Sequence, residues 1–527
     1  MFDLILTILL LLAWAVSFTM LALYNLHIFQ LNSYKPHEQR AWFKKNFLPA
    51  FVGRNLGVLL TPWLILFCGK AGMVLSILLF ALTAYLGRPR KAKKPLVYTA
   101  RVKRMLVSFG LLALLTAVLA LLIPTVTAGP LRIPLGLGIV LPAAHFAAGY
   151  YILAANFVNR PVEKRINDWY IHDAERMLKE MPALKVVGIT GSYGKTSVKF
   201  FLRKLLSAKY NVLMTPESYN TTMGVVKTVR TSLRPTHEIF LCEMGARNVG
   251  DIKEICDIVH PGFGVLTSIG PQHLESFKSI DNVIKTKFEL RDALPADGTV
   301  FLNWDNEYIR SQDPARPAVK YGIEREDADY FARDIRVSAE GSSFTITRDG
   351  VDYRFTTRLI GAHNVLNITG AIAAANTLGV PMADLIPQVR QLESVPHRLQ
   401  LIRGGSSLII DDAYNSNPSG TKAALDTLAQ FDGVKILVTP GMVELGARQE
   451  ELNRAFGRQA AAVCDYAVLV GERQAVPIKA GLLDEGYPEN RIFVEHDLTA
   501  ALKTVENIRA GDQQKVVLLE NDLPDNY

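Results

Sequence analysis

The stretch that most constrains the fold lies near the middle of the chain, residues 186–198, VVGITGSYGKTSV. An apolar run, 186–189, passes directly into Thr190-Gly191-Ser192-Tyr193-Gly194-Lys195-Thr196-Ser197, and amphipathic sequence follows through Leu206. Strand, glycine-rich turn and helix start stand in the order that a nucleotide phosphate loop needs. Gly191 and Gly194 allow backbone N–H groups to curl around phosphate oxygens, and a helix N-terminus adds positive potential. Lys195 supplies a point charge to the terminal phosphates, and the Thr196 hydroxyl can sit on Mg²⁺. Counted from Gly191 the loop falls short of the full Walker spacing, although Gly188 stands near the usual first position. By itself the stretch leaves an incidental glycine turn open as the alternative.

A chain of 527 residues has room for roughly three or four domains. Its 49% hydrophobic content is high for a water-soluble enzyme, and the excess lies before residue 160. Apolar stretches there run over 4–25, 56–68, 71–86, 105–128 and 133–158. The first is long enough to cross a bilayer. No small-residue cleavage site or basic leader marks it as a signal peptide, and more spans follow. The second and third are short and parted only by Gly69-Lys70, which leaves a tight or re-entrant hairpin open. Lys35, Arg40, Lys44, Lys45 and Arg54 crowd one loop, and Arg88, Arg90, Lys91, Lys93, Lys94, Arg101, Lys103 and Arg104 another. The alternate loops carry only Lys70 and Arg132. The positive-inside rule then predicts a multi-pass plasma-membrane protein with its N-terminus outside. After five crossings everything beyond Arg160 is cytoplasmic, where ATP is. The net charge of +8 is accounted for by these loops, as topology signals or as contacts for anionic membrane lipids. No aromatic-interleaved basic patch follows residue 185, so nucleic acid is not an expected partner. Cys68, Cys242, Cys256 and Cys464 have no C-x-x-C or metal spacing and read as reduced core thiols.

Residues 161–184 read as an amphipathic connector carrying Trp169, Tyr170, Met177 and Leu178. From 185 onward strands alternate with helices, at 186–189, 239–243, 264–268 and 300–303, the pattern of a doubly wound, mostly parallel sheet. A second α/β set follows at 407–411, 434–439, 466–470, 491–494 and 516–519. The predicted architecture is an α-helical membrane domain over 1–160, a central α/β domain over 185–395 and a Rossmann-like α/β domain over 396–527. Pro396-His397-Arg398 is the expected hinge.

Doubly wound sheets keep their ligands at the carboxyl ends of strands. Glu243 ends one strand, where its carboxylate can hold Mg²⁺ beside the phosphate loop or simply cap a helix. His273 stands just past another, where a lone histidine is usually structural. Lys285 and Lys287 precede Phe288-Glu289 on an expected helix, and spacing alone makes them solvated lysines. Asn303-Trp304-Asp305-Asn306 follows a strand and could reach a base or ribose, or form a loop turn.

Taken in order, these pieces resemble one family. Thr190–Ser197, Glu243-x-Gly245, Ile269-Gly270-x-x-His273-Leu274-Glu275, Lys287-x-Glu289, Asn303-x-Asp305, Gly361-x-His363-Asn364-x-x-Asn367 and Asp411-Asp412-x-Tyr414-Asn415-x-Asn417-Pro418 are similar to the successive motifs of the Mur ligases. The last motif most resembles their F-type members, which join D-alanyl-D-alanine to a UDP-linked muramyl tripeptide. The match is good over about 180–450 and weak beyond.

The resemblance implies an ATP-dependent amide ligase that activates a carboxylate as an acyl phosphate for attack by an amine. Gly191, Ser192, Gly194, Lys195, Thr196 and Ser197 would hold ATP phosphates. Thr196 and Glu243 would hold one Mg²⁺, and His273 a second, with Lys287 if that lysine is carbamylated. Asn303 would contact adenine, Arg398 the phosphates and Asp412 the ribose. Asn220, Thr221 and Thr222 would form the substrate-side loop, and Tyr414, Asn415 and Asn417 would line the closing C-terminal domain. The implied partners are a muramyl-peptide or lipid-linked carboxylate and an amino acid or dipeptide amine. Three departures stand out. The membrane segment occupies the place of the UDP-binding domain, Gly441 replaces a usual aspartate, and Glu520 stands where a lysine is familiar. A polyglutamate-type ligase and a non-catalytic ATP-binding membrane scaffold are the other readings.

Overall fold

The computed structural model of the protein describes residues 2–47, 55, 57–88, 95–123, 126–128, 131–133, 136–216, 219–312, 317–338, 340–404, 407–414 and 416–522. The chain divides into two units, residues 1–168 and 169–523.

In the first unit, α1 (Phe2–Leu31), α3 (Thr61–Leu86), α4 (Ala100–Leu122), α5 (Leu141–Phe146) and the start of α6 (Ala148–Lys179) surround a core of Trp14, Phe18, Phe80 and Phe109, while α2 (Pro36–Lys45) packs outside it through Phe43 on Leu153. A short antiparallel pair, β1 (Val126–Ala128) and β2 (Leu131–Ile133), joins α4 to the following helices. Helix α3 is broken at Gly69, whose φ of 55° is outside helical geometry. A Cβ at Gly72 would overlap the Leu64 carbonyl. Residues eight apart on a straight helix lie about 12 Å apart, so the chain doubles back at Gly69. This is the hairpin that Gly69-Lys70 left open. Among the described residues three helical stretches are long and apolar enough for a membrane span, Asp3–Leu31, Val58–Leu86 and Ala100–Leu122. They become four if the pair Gly136–Phe146 and Ala148–Lys179, bent by 74°, counts as one. Val58–Leu86 passes that test only as the two arms of the hairpin taken together, where five spans are expected. The second and third are the two arms of α3, and each arm is shorter than the ~20 residues that a spanning helix needs.

In the second unit, a nine-stranded sheet is built from β3 (Lys185–Thr190), β4 (Val212–Met214), β5 (Ile239–Glu243), β6 (Phe263–Leu266), β7 (Thr299–Asn303), β8 (Ala318–Gly322), β9 (Tyr330–Ser338), β10 (Gly341–Arg348) and β11 (Val351–Thr357). Its order is β11-β10-β9-β8-β7-β6-β3-β5-β4. All pairs from β4 to β9 are parallel, and β10 and β11 extend the sheet antiparallel. Strands buried on both faces alternate their side chains between two cores. Val187 and Ile189 pack with α7 (Lys195–Leu206) on one face, and Val186 packs with α8 (Thr222–Ser232), α9 (Asp251–Val259) and helices after β6 on the other. Those later helices are α10 (Leu274–Phe277) and α11 (Ile280–Ala293). After β7 come α12 (Glu307–Arg310), then α13 (Ala362–Thr377) and α14 (Met382–Arg390), the last two on the α7 face. Because the chain leaves β3 for β4 and β5 on one side and returns to β6 on the other, the carboxyl end of β3 is the switch point. The phosphate loop sits there.

A second sheet holds β12 (Gln400–Gly404), β13 (Ser407–Asp412), β14 (Val434–Thr439), β15 (Tyr466–Val470), β16 (Ile492–Glu495) and β17 (Lys515–Glu520), in the order β12-β13-β17-β14-β15-β16. Only β12 is antiparallel. Helices α15 (Pro418–Leu428) and α16 (Gln449–Ala461) follow β13 and β14. The nine expected strands all form, within one or two residues at their ends. Strands β4, β8–β11 and β12 were not expected.

Candidate active site

The loop between β3 and α7 turns through two glycines at positive φ, Gly191 at 150° and Gly194 at 79°. A Cβ on Gly191 would overlap the Thr267 hydroxyl, and one on Gly194 would press on Asn367. The loop is fastened to the turn after β6. Ser192 N–H donates to the Ser268 carbonyl at 2.6 Å, and Tyr193 N–H to the Ser268 hydroxyl at 3.2 Å. The Thr267 hydroxyl donates to the Tyr193 carbonyl. Ser192, expected to bind nucleotide, turns its buried hydroxyl to the Gly270 carbonyl at 3.1 Å and so braces the loop. Lys195 Nζ donates to the carbonyls of Gly191 and Ser192 at 2.7 and 3.1 Å. Loss of solvent around that amine pulls its pKa down to about 8, against the attraction of Glu243.

Glu243, at the end of β5, gathers the neighbouring polar groups. Thr196 Oγ1 and Asn220 Nδ2 each donate to its Oε1 at 3.1 Å. Lys199 Nζ, fully buried one turn along α7, pairs with its Oε2 at 2.8 Å. Burial alone would raise the carboxyl pKa. The Lys199 and Lys195 charges and the donated hydrogen bonds outweigh it and hold Glu243 below the ordinary value. Asn220 is thus tied to the carboxylate, and Thr221 caps α8 by accepting from Gly224 N–H at 3.3 Å. Thr222 is the first residue of that helix.

Two residues lie across from this cluster. Lys287 on α11 is buried, whereas Lys285 faces solvent. Desolvation, reinforced by the Lys195 charge, depresses the Lys287 amine far below its usual value. His273, before α10, gives its Nδ1 to the Glu444 carboxylate in the loop after β14. Burial lowers its pKa in spite of that carboxylate. Glu289, two residues past Lys287, accepts from Gly250 and Lys253 N–H at 2.7 and 3.0 Å and caps α9.

A cleft of about 300 Å³ opens beside the loop. Gly194, Ser197, Asn303 and His363 line one wall, and Arg398, Asp412 and Asn417 the other. Asn303 holds the turn after β7, donating to the Thr267 carbonyl at 2.6 Å and accepting from Asp305 N–H at 3.1 Å. Arg398 lies between His397 and Leu399, both at positive φ, and its guanidinium stacks 4.2 Å over the Tyr414 ring. Burial raises Asp412 to about 6, although Arg398 and Leu399 N–H oppose it. Asn417 caps α15 through Gly420 N–H at 2.7 Å. Asn415 lies outside the described residues.

Lys199, Glu444 and Glu520 were not assigned roles from sequence. Glu520 ends β17 between β13 and β14, buried, with the Ser416 and Thr439 hydroxyls donating to it at 2.5 and 3.1 Å. Burial pushes its carboxyl up to about 8, and the nearby Asp412 adds to the shift. An acid with a raised folded pKa keeps a proton that the unfolded chain has lost, so its contribution falls as pH rises from about 4.5 towards 8. Glu520→Gln should therefore flatten the pH dependence of stability, removing about 3 kcal/mol of the loss between pH 5.5 and 8. Thermal unfolding of both proteins at the two pH values checks this. Parallel curves would place the proton elsewhere.

The donor set suits Mg²⁺. Thr196 and Glu243 offer one hydroxyl and one carboxylate beside a phosphate loop, and Mg²⁺ completes its shell with phosphates and water rather than an all-protein cage. Among the described residues no group of three or more His, Cys, Asp or Glu side chains is clustered for a metal.

Residues 189–375 match the Mur ligase middle domain, and 397–519 the Mur ligase glutamate ligase domain. The UDP-N-acetylmuramoyl-tripeptide–D-alanyl-D-alanine ligase of Escherichia coli K12 is 28% identical over 69% of this chain and 81% of its own length. The Bacillus subtilis 168 protein of the same name is 32% identical over 54% of this chain and 62% of its own. Among solved structures, MurF from Acinetobacter baumannii has a TM-score of 0.63 at 26% identity, over 68% of this chain and 78% of that one. MurF ligase from Thermotoga maritima in complex with ADP gives 0.60 at 26% identity, over 68% and 80%. With its phosphate loop at the sheet's switch point and both domains matched, the chain belongs to the Mur ligase family and is an ATP-dependent acid–amino-acid ligase.

Proposed function

We propose that the protein is a membrane-anchored Mur ligase of peptidoglycan precursor synthesis, F-type in its chemistry, acting at the cytoplasmic face. The observation that carries the ligase reading is the Lys195–Thr196–Glu243 cluster on a loop whose Gly194 and Ser197 line a cleft together with Arg398 and Asp412. A substrate carboxylate oxygen attacks the γ-phosphorus of ATP, and ADP leaves with the electron pair of the broken P–O bond. The amine then attacks the acyl carbon, loses a proton, and inorganic phosphate departs. A carboxylate is a poor electrophile, and phosphorylation supplies its leaving group. Lys195 and Arg398 neutralise charge on the transferred phosphoryl group. Thr196 and Glu243 would hold Mg²⁺, which supplies further neutralisation when bound. His273 would serve a second cation together with Lys287. An uncharged lysine adds CO₂ as a carbamate with loss of a proton, which turns a would-be cation into a ligand.

The membrane reading rests on the first unit. Leu111, Leu114 and Leu122 on α4 are more than half exposed, while Ser17, Ser76 and His145 are buried. That distribution suits lipid rather than water as the solvent. A hairpin at Gly69 also returns the chain to the side it came from. Both basic loops can then share the cytoplasmic side, which one straight crossing would forbid. The carboxylate substrate we favour is a lipid-linked muramyl peptide, because the helical unit stands ahead of the matched domains, in the place that the family resemblance gives to a UDP-binding domain. The amine we favour is D-alanyl-D-alanine, named for the curated relatives.

Phosphate release by the purified full-length chain tests this, with ATP, Mg²⁺, lipid-linked or UDP-linked muramyl peptide and a panel of amines. Turnover that prefers the lipid-linked acceptor is the expected result. Equal or faster turnover with the UDP-linked peptide would reduce the helical unit to an anchor. ATP binding without turnover on any pair would favour a scaffold.

A further inference from the structure

His273 belongs to the middle domain, yet its ring is held by a side chain of the C-terminal domain. The Glu444 carboxylate contacts Nδ1, and the Glu275 N–H donates to the Glu444 carbonyl at 3.4 Å, so side chain and backbone both bridge the two domains. Arg247 Nη2 lies 3.4 Å from the other Glu444 oxygen, so a cation faces the carboxylate on its far side. An ionised carboxylate only accepts hydrogen bonds. The proton of a neutral imidazole therefore sits on Nδ1, and the lone pair is left on Nε2. His273 and Glu444 also share an unusual backbone, with φ of 51° and 62°. Left-handed conformations of non-glycine residues are uncommon and persist where the surroundings enforce them.

We propose that Glu444 is a positioning residue for His273. It fixes the tautomer and ring orientation that make Nε2 the ligating atom for a divalent cation, and the cation site is complete only when the C-terminal domain is docked. The inference rests on the ligase reading above and adds to it a named residue from the second domain. Carboxylates that hold the far nitrogen of a metal-binding histidine typically contribute 10- to 100-fold to metal affinity. A plain interdomain latch would change stability and leave cation affinity alone.

Mn²⁺ titration followed by electron paramagnetic resonance separates these on the full-length chain with saturating ADP. Wild type should bind two Mn²⁺. Glu444→Gln should weaken one of them 10- to 100-fold and leave ADP affinity within about twofold. His273→Ala should remove the same site, and adding Glu444→Gln to it should then change nothing further. Glu444→Asp, with the charge on a shorter arm, should fall between wild type and Glu444→Gln, and it provides the reading should the glutamine variant not fold. Unchanged Mn²⁺ affinity in Glu444→Gln and Glu444→Asp would overturn the inference and leave a latch. A wild-type chain that binds a single Mn²⁺ with ADP would overturn it while sparing the nucleotide site. Failure to bind either ADP or Mn²⁺ would remove the ligase reading itself.

Discussion

Lys195→Ala should lower ligation at saturating ATP about a thousandfold while changing ADP affinity by no more than about tenfold. The asymmetry follows from what Nζ does. Its hydrogen bonds run to the Gly191 and Ser192 carbonyls, so the ammonium is preset beside the loop rather than recruited from solvent. Desolvation there pulls its pKa to about 8, which means that the site tolerates the cation poorly until an anion shares it. The γ-phosphoryl group in transfer is the strongest such anion, with charge spread over its equatorial oxygens. ADP, lacking that group, is held mainly by backbone N–H groups at the α7 N-terminus, which alanine leaves in place. Phosphate-release kinetics give the first quantity and calorimetric ADP titration the second. A loss under tenfold in turnover would mean that Lys195 is outside the transfer site, and equal losses in both would mean that the substitution collapses the loop.

How much of this site could be read beforehand depended on whether the chemistry was local in sequence. The phosphate loop was legible because Gly191, Gly194, Lys195 and Thr196 act through consecutive backbone. The core strands were legible because β3 and β5 are buried on both faces and read as unbroken apolar runs. Strand β9 is different. Beyond Ala332 its residues alternate between half-buried and exposed, with charges at Arg333, Asp334 and Arg336, and such a strand, although paired on both sides by β8 and β10, carries little apolar signal. Whether the second and third apolar stretches cross separately is not legible in apolar length, which does not report a reversal; the positive φ at Gly69 and the close approach of Gly72 to Leu64 do. Roles set by tertiary approach were invisible. Glu444 stands 171 residues from His273, and nothing in its loop announces a partner. Lys199, taken with its neighbours in sequence, is one more cation on an amphipathic helix. Its place four residues after Lys195 puts both on one face, a signal that could have been read with the end of β5 in mind.

Lys199→Met tests that last point. Lys199 and Glu243 are both sealed from solvent, 0% and 1% exposed, and paired at 2.8 Å. Removing one member of a buried ion pair leaves the other uncompensated, at a cost of about 3–5 kcal/mol. Methionine fills the space of the lysine stem, so the loss reports charge rather than volume. Thr196 and Asn220 still donate to Glu243, but neutral donors cannot replace the cation. Converting both partners, Lys199→Met with Glu243→Gln, should recover most of the stability, because well-packed neutral replacements of a buried pair are often close to neutral in effect. Urea unfolding of the purified chain, completed as a double-mutant cycle, measures the coupling directly. A double variant as unstable as the sum of its singles would show that Lys199 stabilises the fold through other contacts. Recovery of stability without recovery of turnover is the outcome expected here. It would separate the two roles of Glu243, one in balancing Lys199 within the core and one in facing Thr196 at the reacting centre.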